Sequence, residues 1–246
     1  MLRCESRDSR KVRQLQVSLA LHLFQARCGP FENLSTFAGT VQIIRHGGCR
    51  GVELDTMFVE RVDEGDEAAR FIKGVGVQWA GKNALPAIPR EFPALMIYQS
   101  EQECGDGKNE WSYTGYCWQL MKHYFRSGAR AYMYWNISTE QGGLSTWGWA
   151  QNSLVSVNRA GKSFHYNHDY YLLKHLTHFV DVGAKCVEAT GTCDDALAFR
   201  NPDGTIVLLI RNELSHAQMV QVQVRERAVA VELPPDSVGT LAMKPV

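Results

Sequence analysis

The sequence predicts an α/β region followed by a small all-β region, and three observations lead there. Between residues 52 and 180, short apolar runs alternate with segments of helical spacing, the pattern of parallel β/α units. After Gly183 the helical spacing stops and short, alternating strands follow. The texture changes near residue 180, which divides the chain into an unassigned segment (1–50), an α/β segment (51–180) and an antiparallel β sandwich (181–246).

Taken in order, "GVELDTMFV" (51–59) reads as a strand, and "DEGDEAARFIK" (63–73) reads as a helix with acids in its first turn and Lys73 at its end. "GVGVQWA" (74–80) and "ALMIYQS" (94–100) are the next two strands. "WSYTGYCWQLMKHYFRSG" (111–128) places apolar residues at helical spacing and stops at Gly128. "ARAYMYWNIS" (129–138) is a fourth strand and "HDYYLLKHLTHFV" (168–180) a further helix. In the β region, "NPDG" (201–204) is a hairpin turn. "MVQVQVRERAVAVEL" (219–233) alternates almost residue by residue, so one face should be buried and the other wet.

The 246 residues, 45% apolar, suffice for one large or two small domains. Lys+Arg and Asp+Glu both number 26, with neither the basic excess nor the basic stripe that a nucleic-acid partner calls for. The Cys count, seven, is odd, and no CxxC pair or zinc spacing occurs. Cys186 and Cys193 flank "VEATGT", which leaves a small disulfide and two thiols equally open. No apolar run reaches the ~18–20 residues of a membrane span. The N-terminus has a basic start and then "VSLALHLF", but acids interrupt it, so it imitates a signal peptide poorly. The rest of residues 1–50 shows no sustained periodicity.

In β/α barrels, active-site side chains project from the C-terminal ends of strands. Three strand ends here present Gln78 and Trp79, then Gln99, Ser100 and Glu101, then Trp135 and Asn136. A carboxylate between two indoles suits sugar chemistry. Aromatic faces pack on the apolar side of a sugar ring, and a carboxylate attacks or stabilises the anomeric carbon as positive charge develops there. Against this stand the plainer readings of a solvated strand end for Glu101 and of core packing for the Trp residues.

The motifs "KGVGVQWAGKNALP", "MIYQSEQECGDGKNEW", "YMYWNISTEQGGLSTWGWAQNSLV", "YYLLKHLTHFVDVGAKCVEATG" and "ALAFRNPDGTIVLLIRNE" occur in this order. Together they resemble glycoside hydrolase family 30, looking closest to its endo-β-1,6-glucanase branch, with the glucosylceramidases more distant. The resemblance implies the last four units of a (β/α)8 TIM barrel followed by a C-terminal β sandwich, and retaining hydrolysis by two Glu. It makes Glu101, in the pair Ser100–Glu101, the nucleophile, and leaves Glu103 as a structural partner. It places Gln78, Trp79, Trp135 and Asn136 at the substrate, and makes Trp147 and Trp149 candidate floors of outer subsites, with loop packing the plainer reading for both. Ala80 stands where glucosylceramidases have Tyr, which argues against a ceramide-linked substrate. No cofactor and no metal are implied, because the reaction runs on two carboxyl groups and water. The partner implied is a polysaccharide or glycoside, and secretion is expected.

The general acid is what the resemblance leaves unmatched. A retaining enzyme needs a second carboxyl ~5–5.5 Å from the nucleophile, which the family supplies in an Asn-Glu-Pro motif absent here. The pairs Asn109–Glu110 and Asn212–Glu213 lack the Pro and fall outside a fourth barrel strand. A full barrel takes about 250 residues, and the first four strands, together with the N-terminal strands of the sandwich, are expected to be missing. The chain then reads as part of such an enzyme, inactive alone and prone to self-association through an open barrel edge. The alternatives are a remnant that at most binds glucan and an unrelated β/α protein.

Overall fold

The computed structural model describes residues 12–17, 40–43, 73–146, 148–193 and 195–245. The strand expected at 51–59 and most of the helix expected at 63–73 lie outside them. Two compact units form, one running from Gly29 to Tyr170 and the other joining Tyr171–Val246 to the N-terminal strand Val12–Val17.

The first unit is built on a four-stranded parallel sheet. Its strands are β2 (Thr40–Ile43), β3 (Gly74–Gln78), β4 (Met96–Glu101) and β5 (Ala129–Tyr132), side by side in chain order. Sequential parallel order with intervening helices is the wall of a β/α barrel. The neighbour of β3 is therefore residues 40–43, inside the segment that sequence reading left unassigned. Four residues are too few for a period-2 signal to stand out.

Helices α1 (Ile88–Glu91) and α2 (Trp111–Arg126) cover the sheet. α2 buries Cys117, Trp118, Met121, Tyr124 and Phe125 at helical spacing, and Tyr124 packs with Val75, Val77 and Ile97 of β3 and β4. It ends as the sequence predicts, on Gly128 at φ +90°, a left-handed conformation that Gly adopts without strain. A three-stranded sheet of β6 (Ser138–Glu140), β7 (Val155–Asn158) and β8 (Ser163–Tyr166) follows, in a stretch where sequence reading placed no elements. Helix α3 (His168–Thr177) comes next.

The second unit is the sandwich. One sheet has the order β15 (Ser237–Met243), β12 (Ile206–Asn212), β11 (Ala196–Arg200), β9 (Lys185–Val187). The other has the order β10 (Thr190–Gly191), β1 (Val12–Val17), β13 (Gln218–Val224), β14 (Arg227–Leu233). The strict alternation of β13 is realised, with Val220 and Val222 turned inward against Ile206, Leu208 and Ile210 of β12. The "NPDG" turn closes the β11–β12 hairpin through Gly204 N–H donating to Asn201 O at 2.9 Å.

One expectation is corrected here, and one open alternative is decided. N-terminal strands of the sandwich were expected to be missing, yet β1 lies parallel to β13, with Val12 opposite Met219. Cys186 and Cys193 form no disulfide. The segment between them makes no hairpin, because β9 pairs with β11 while β10 pairs with β1, in the other sheet.

Candidate active site

β3 and β4 end side by side, and a one-residue register shift sets what meets there. Val77 pairs with Gln99, but Gln78 pairs with Glu101, skipping Ser100. Such an irregularity re-aims a side chain at the end of a strand. Here it turns Gln78, which is buried, onto Glu101, with Nε2 donating to Oε2 at 2.7 Å. Directly after Gln78 the chain leaves the sheet in a 3-10 turn, Trp79–Ala84. This puts the Trp79 indole beside the same carboxylate. Glu101 is half-buried, and burial pushes its carboxyl above its ordinary value while the neighbouring Trp79 indole pulls the other way. The Trp79 ring itself is 43% exposed, so a flat apolar face stands open next to a carboxylate of raised proton affinity.

β5 stops at Tyr132, so Trp135 and Asn136 lie beyond its end rather than on it. They form a second group, held by one buried side chain. Gln151 Oε1 accepts from Asn136 Nδ2 at 2.7 Å and from Trp135 Nε1 at 3.3 Å. Asn136 has φ +67°, a left-handed conformation that Asn tolerates better than most residues. The end of β5 is also stitched to β4, because Met133 N–H donates to Gln99 Oε1 at 2.5 Å. Trp147 lies outside the described residues, and Trp149 is 51% exposed.

Glu103, two residues past Glu101, is tied down. It pairs with the Lys82 ammonium and accepts from Tyr116 OH at 2.8 Å, while its carbonyl accepts from Tyr113 OH at 2.6 Å. Burial opposes the charge on Lys82, but the bond and charge of Glu103 outweigh it and hold the ammonium above its ordinary value. With every strong contact internal, Glu103 acts as an anchor for the loop.

Behind Glu101 runs a buried chain of hydrogen bonds. Tyr132 OH donates to Gln102 Oε1 at 2.6 Å, Gln102 Nε2 donates to Cys117 Sγ at 2.8 Å, and Cys117 Sγ donates to Asp169 Oδ2 at 3.5 Å. Asp169, at the start of α3, is buried and also receives Thr114 Oγ1 and Tyr134 OH. In front, residues 104–109 fold around Asn152, whose Oδ1 accepts from Gly107 N–H at 2.8 Å and from Asn109 N–H at 3.2 Å. Sequence reading missed Gln151, Asn152 and Asp169. Each is a polar residue in a polar neighbourhood, and only its burial marks it.

The two Asn-Glu pairs do structural work. Asn109 sits at φ +55° with Oδ1 accepting from Ser153 N–H at 2.9 Å, and Glu110 is the residue before α2. Asn212 donates to the carbonyls of His216, Leu233 and Pro234 in the sandwich.

Residues 183–241 match the glycosyl hydrolase family 30 beta sandwich domain. The fold is similar to that of SrfJ from Salmonella typhimurium, with a TM-score of 0.70 and 19% identity over 79% of this chain and 46% of that one. It is similar to the endo-beta1,6-glucanase BT3312, at 0.67 and 20% over 78% and 45%. It is also similar to a GH30 endoxylanase from Clostridium papyrosolvens C71, at 0.59 and 16% over 78% and 54%. At such identities the likeness is one of fold. The chain spans about half the length of these solved structures, and it matches no curated protein in sequence. The resemblance carried by the motifs thus has two supports: residues 183–241 match the β sandwich model of family 30, and the chain shares its fold with solved family 30 proteins.

Proposed function

We propose that this chain carries the nucleophile side of a retaining glycoside hydrolase, with Glu101 as nucleophile and a β-1,6-linked glucan as substrate. The observation that carries the reading is the contact of Gln78 Nε2 and the Trp79 indole with the Glu101 carboxylate, at the C-terminal ends of adjacent parallel strands. In the first step a Glu101 oxygen bonds to the anomeric carbon as the bond to the leaving oxygen breaks, and a second carboxyl protonates that oxygen. In the second step water displaces Glu101 and the second carboxyl takes the water's proton. Trp79 and Trp135 supply the apolar walls, and Asn136, fixed by Gln151, orients ring hydroxyls. Trp147 belongs to the outer substrate-binding surface on this reading. The linkage rests on the motif resemblance and on likeness to a solved endo-beta1,6-glucanase. An extracellular setting fits a polymeric glucan.

The second carboxyl lies outside this chain on the same reading, so the chain alone does not turn over native glucan. An activated aryl glycoside needs no acid to leave. A 2-deoxy-2-fluoro-β-glucoside with a dinitrophenyl leaving group should therefore label the chain covalently, and peptide mass mapping should place the label on Glu101. Label elsewhere, or equal labelling of Glu101→Gln, would refute the assignment. No labelling of a folded sample would favour the second reading, a remnant that binds glucan through Trp79 and Trp135 without chemistry.

A further inference from the structure

Among the described residues β8 is an edge strand, with all four of its residues exposed. Edge strands usually carry charge or Pro on their open faces. This one carries Phe164, 62% exposed, and Tyr166, 43% exposed. Neither ring is loose. Tyr166 stacks on Tyr170 of α3 at 4.0 Å and 19°, and Phe164 meets Tyr166 edge-on at 5.6 Å. The rings are thus set in place before any ligand arrives, which lowers the ordering cost of binding.

The pairing register shows what shares their face. Phe164 lies opposite Val157 of β7, and Val157 lies beside Glu140 of β6. Tyr166 lies opposite Val155, beside Ser138. Paired residues point to the same side of a sheet. Glu140 is ion-paired with Arg159 at 2.5 Å, and both side chains are more than half exposed. One sheet face therefore holds a rigid aromatic pair, a short apolar floor, and a carboxylate and a guanidinium at its border.

We propose that this face is an accessory sugar-binding platform that takes a stretch of neutral polysaccharide away from Glu101. A pyranose ring presents apolar C–H groups on one side and hydroxyls around its rim. Phe164 meets the first, while Glu140 accepts and Arg159 donates to neighbouring hydroxyls. The other classes of partner fit poorly. Nucleic acid and anionic membranes need several uncompensated cations, and Arg159 is already matched by Glu140. The proposal rests on the glycan reading above, but not on Glu101 being the nucleophile.

Affinity electrophoresis of the full chain in native gels tests it. The gels contain β-1,6-glucan, β-1,3-glucan or β-1,4-xylan, and Phe164→Ala, Glu140→Gln and Trp79→Ala are run beside the parent. Retardation by a polymer that weakens about fivefold or more in Phe164→Ala and in Glu140→Gln is the expected result. Near-additive loss in the Phe164→Ala, Trp79→Ala double variant would show two separate contacts. If only xylan or β-1,3-glucan retards the chain and Phe164→Ala cancels it, the platform stands and the β-1,6 assignment falls. Unchanged retardation in Phe164→Ala, or none by any polymer in a sample with an intact melting transition, overturns the platform. So does a shift of Phe164→Ala from dimer to monomer on size exclusion, which would make the face a contact between copies.

Discussion

Glu101 has a pH signature that follows from its surroundings. Burial raises its proton affinity in the folded chain, so folding favours its protonated form. The associated stability is full below the unfolded carboxyl range and is lost as pH rises through the folded value. Glu101→Gln cannot ionise and escapes that loss. The difference in Tm between Glu101→Gln and the parent should grow in favour of the variant from about pH 4 to about pH 7. A difference that shrinks over the same range would mean that hydrogen bonds to the carboxylate outweigh its burial. Gln78→Leu removes a donor to the ionised form, so it should move the acid limb of Glu101 labelling by the fluoroglucoside to higher pH. Glu103 offers the contrast. It is the same residue type two positions on, yet its contacts with Lys82 and Tyr116 leave it nothing to do but hold the loop. Motif resemblance singled out Glu101 in advance, and the structure shows what distinguishes the two carboxylates, namely their neighbours.

Among the elements, the excursion that follows β5 is the most exacting. Gly143 has φ +66°, and a Cβ there would come within 2.0 Å of the Gln151 carbonyl oxygen. Backbone on one side and a left-handed conformation on the other leave no room to relax. Gly143→Ala should displace residue 151, which fixes Trp135 and Asn136. The expected result is loss of glucan retardation together with destabilisation of about 1–3 kcal/mol in urea titration. Gly128→Ala is the control, since nothing lies within 4 Å of its Cβ and only φ is violated. It should cost about 1–2 kcal/mol and leave glucan binding intact. Asp169 ties α3 to α2 and to the chain after β5 through three donors. Asp169→Ala strands those buried donors and should lower stability by about 1–3 kcal/mol. Thr114→Val, which removes a single donor, should cost less. Helices α2 and α3 and strands β4 and β13 were legible because each carries its period within its own residues, and β12 because its short apolar run follows a turn. The β6–β7–β8 sheet was not, because two of its strands have four residues, one has three, and β8 buries neither face.

For the whole molecule, the parallel sheet among the described residues runs from β2 at one end to β5 at the other. Strand edges of this kind invite association. The purified chain is expected to elute above monomer size on size exclusion and to release no product from β-1,6-glucan. A monomer with a single sharp melting transition would count against an open barrel edge, and turnover abolished by Glu101→Gln would mean that a general acid lies within the chain. No helix among the described residues is long and apolar enough to cross a membrane.

By itself the sequence determined the class of the long elements among the described residues, the hairpin at 201–204 and the strand end that bears Glu101, because periodicity and turn chemistry act over a few neighbouring residues. Tertiary structure decided the rest. It placed residues 40–43 beside β3 and residues 12–17 beside β13, with Val12 opposite Met219. It shifted the register by one residue so that Gln78 meets Glu101, and it buried Gln151, Asn152 and Asp169 where their hydrogen bonds hold the site. Those outcomes depend on partners far apart in the chain and on the burial of surfaces that no local window contains.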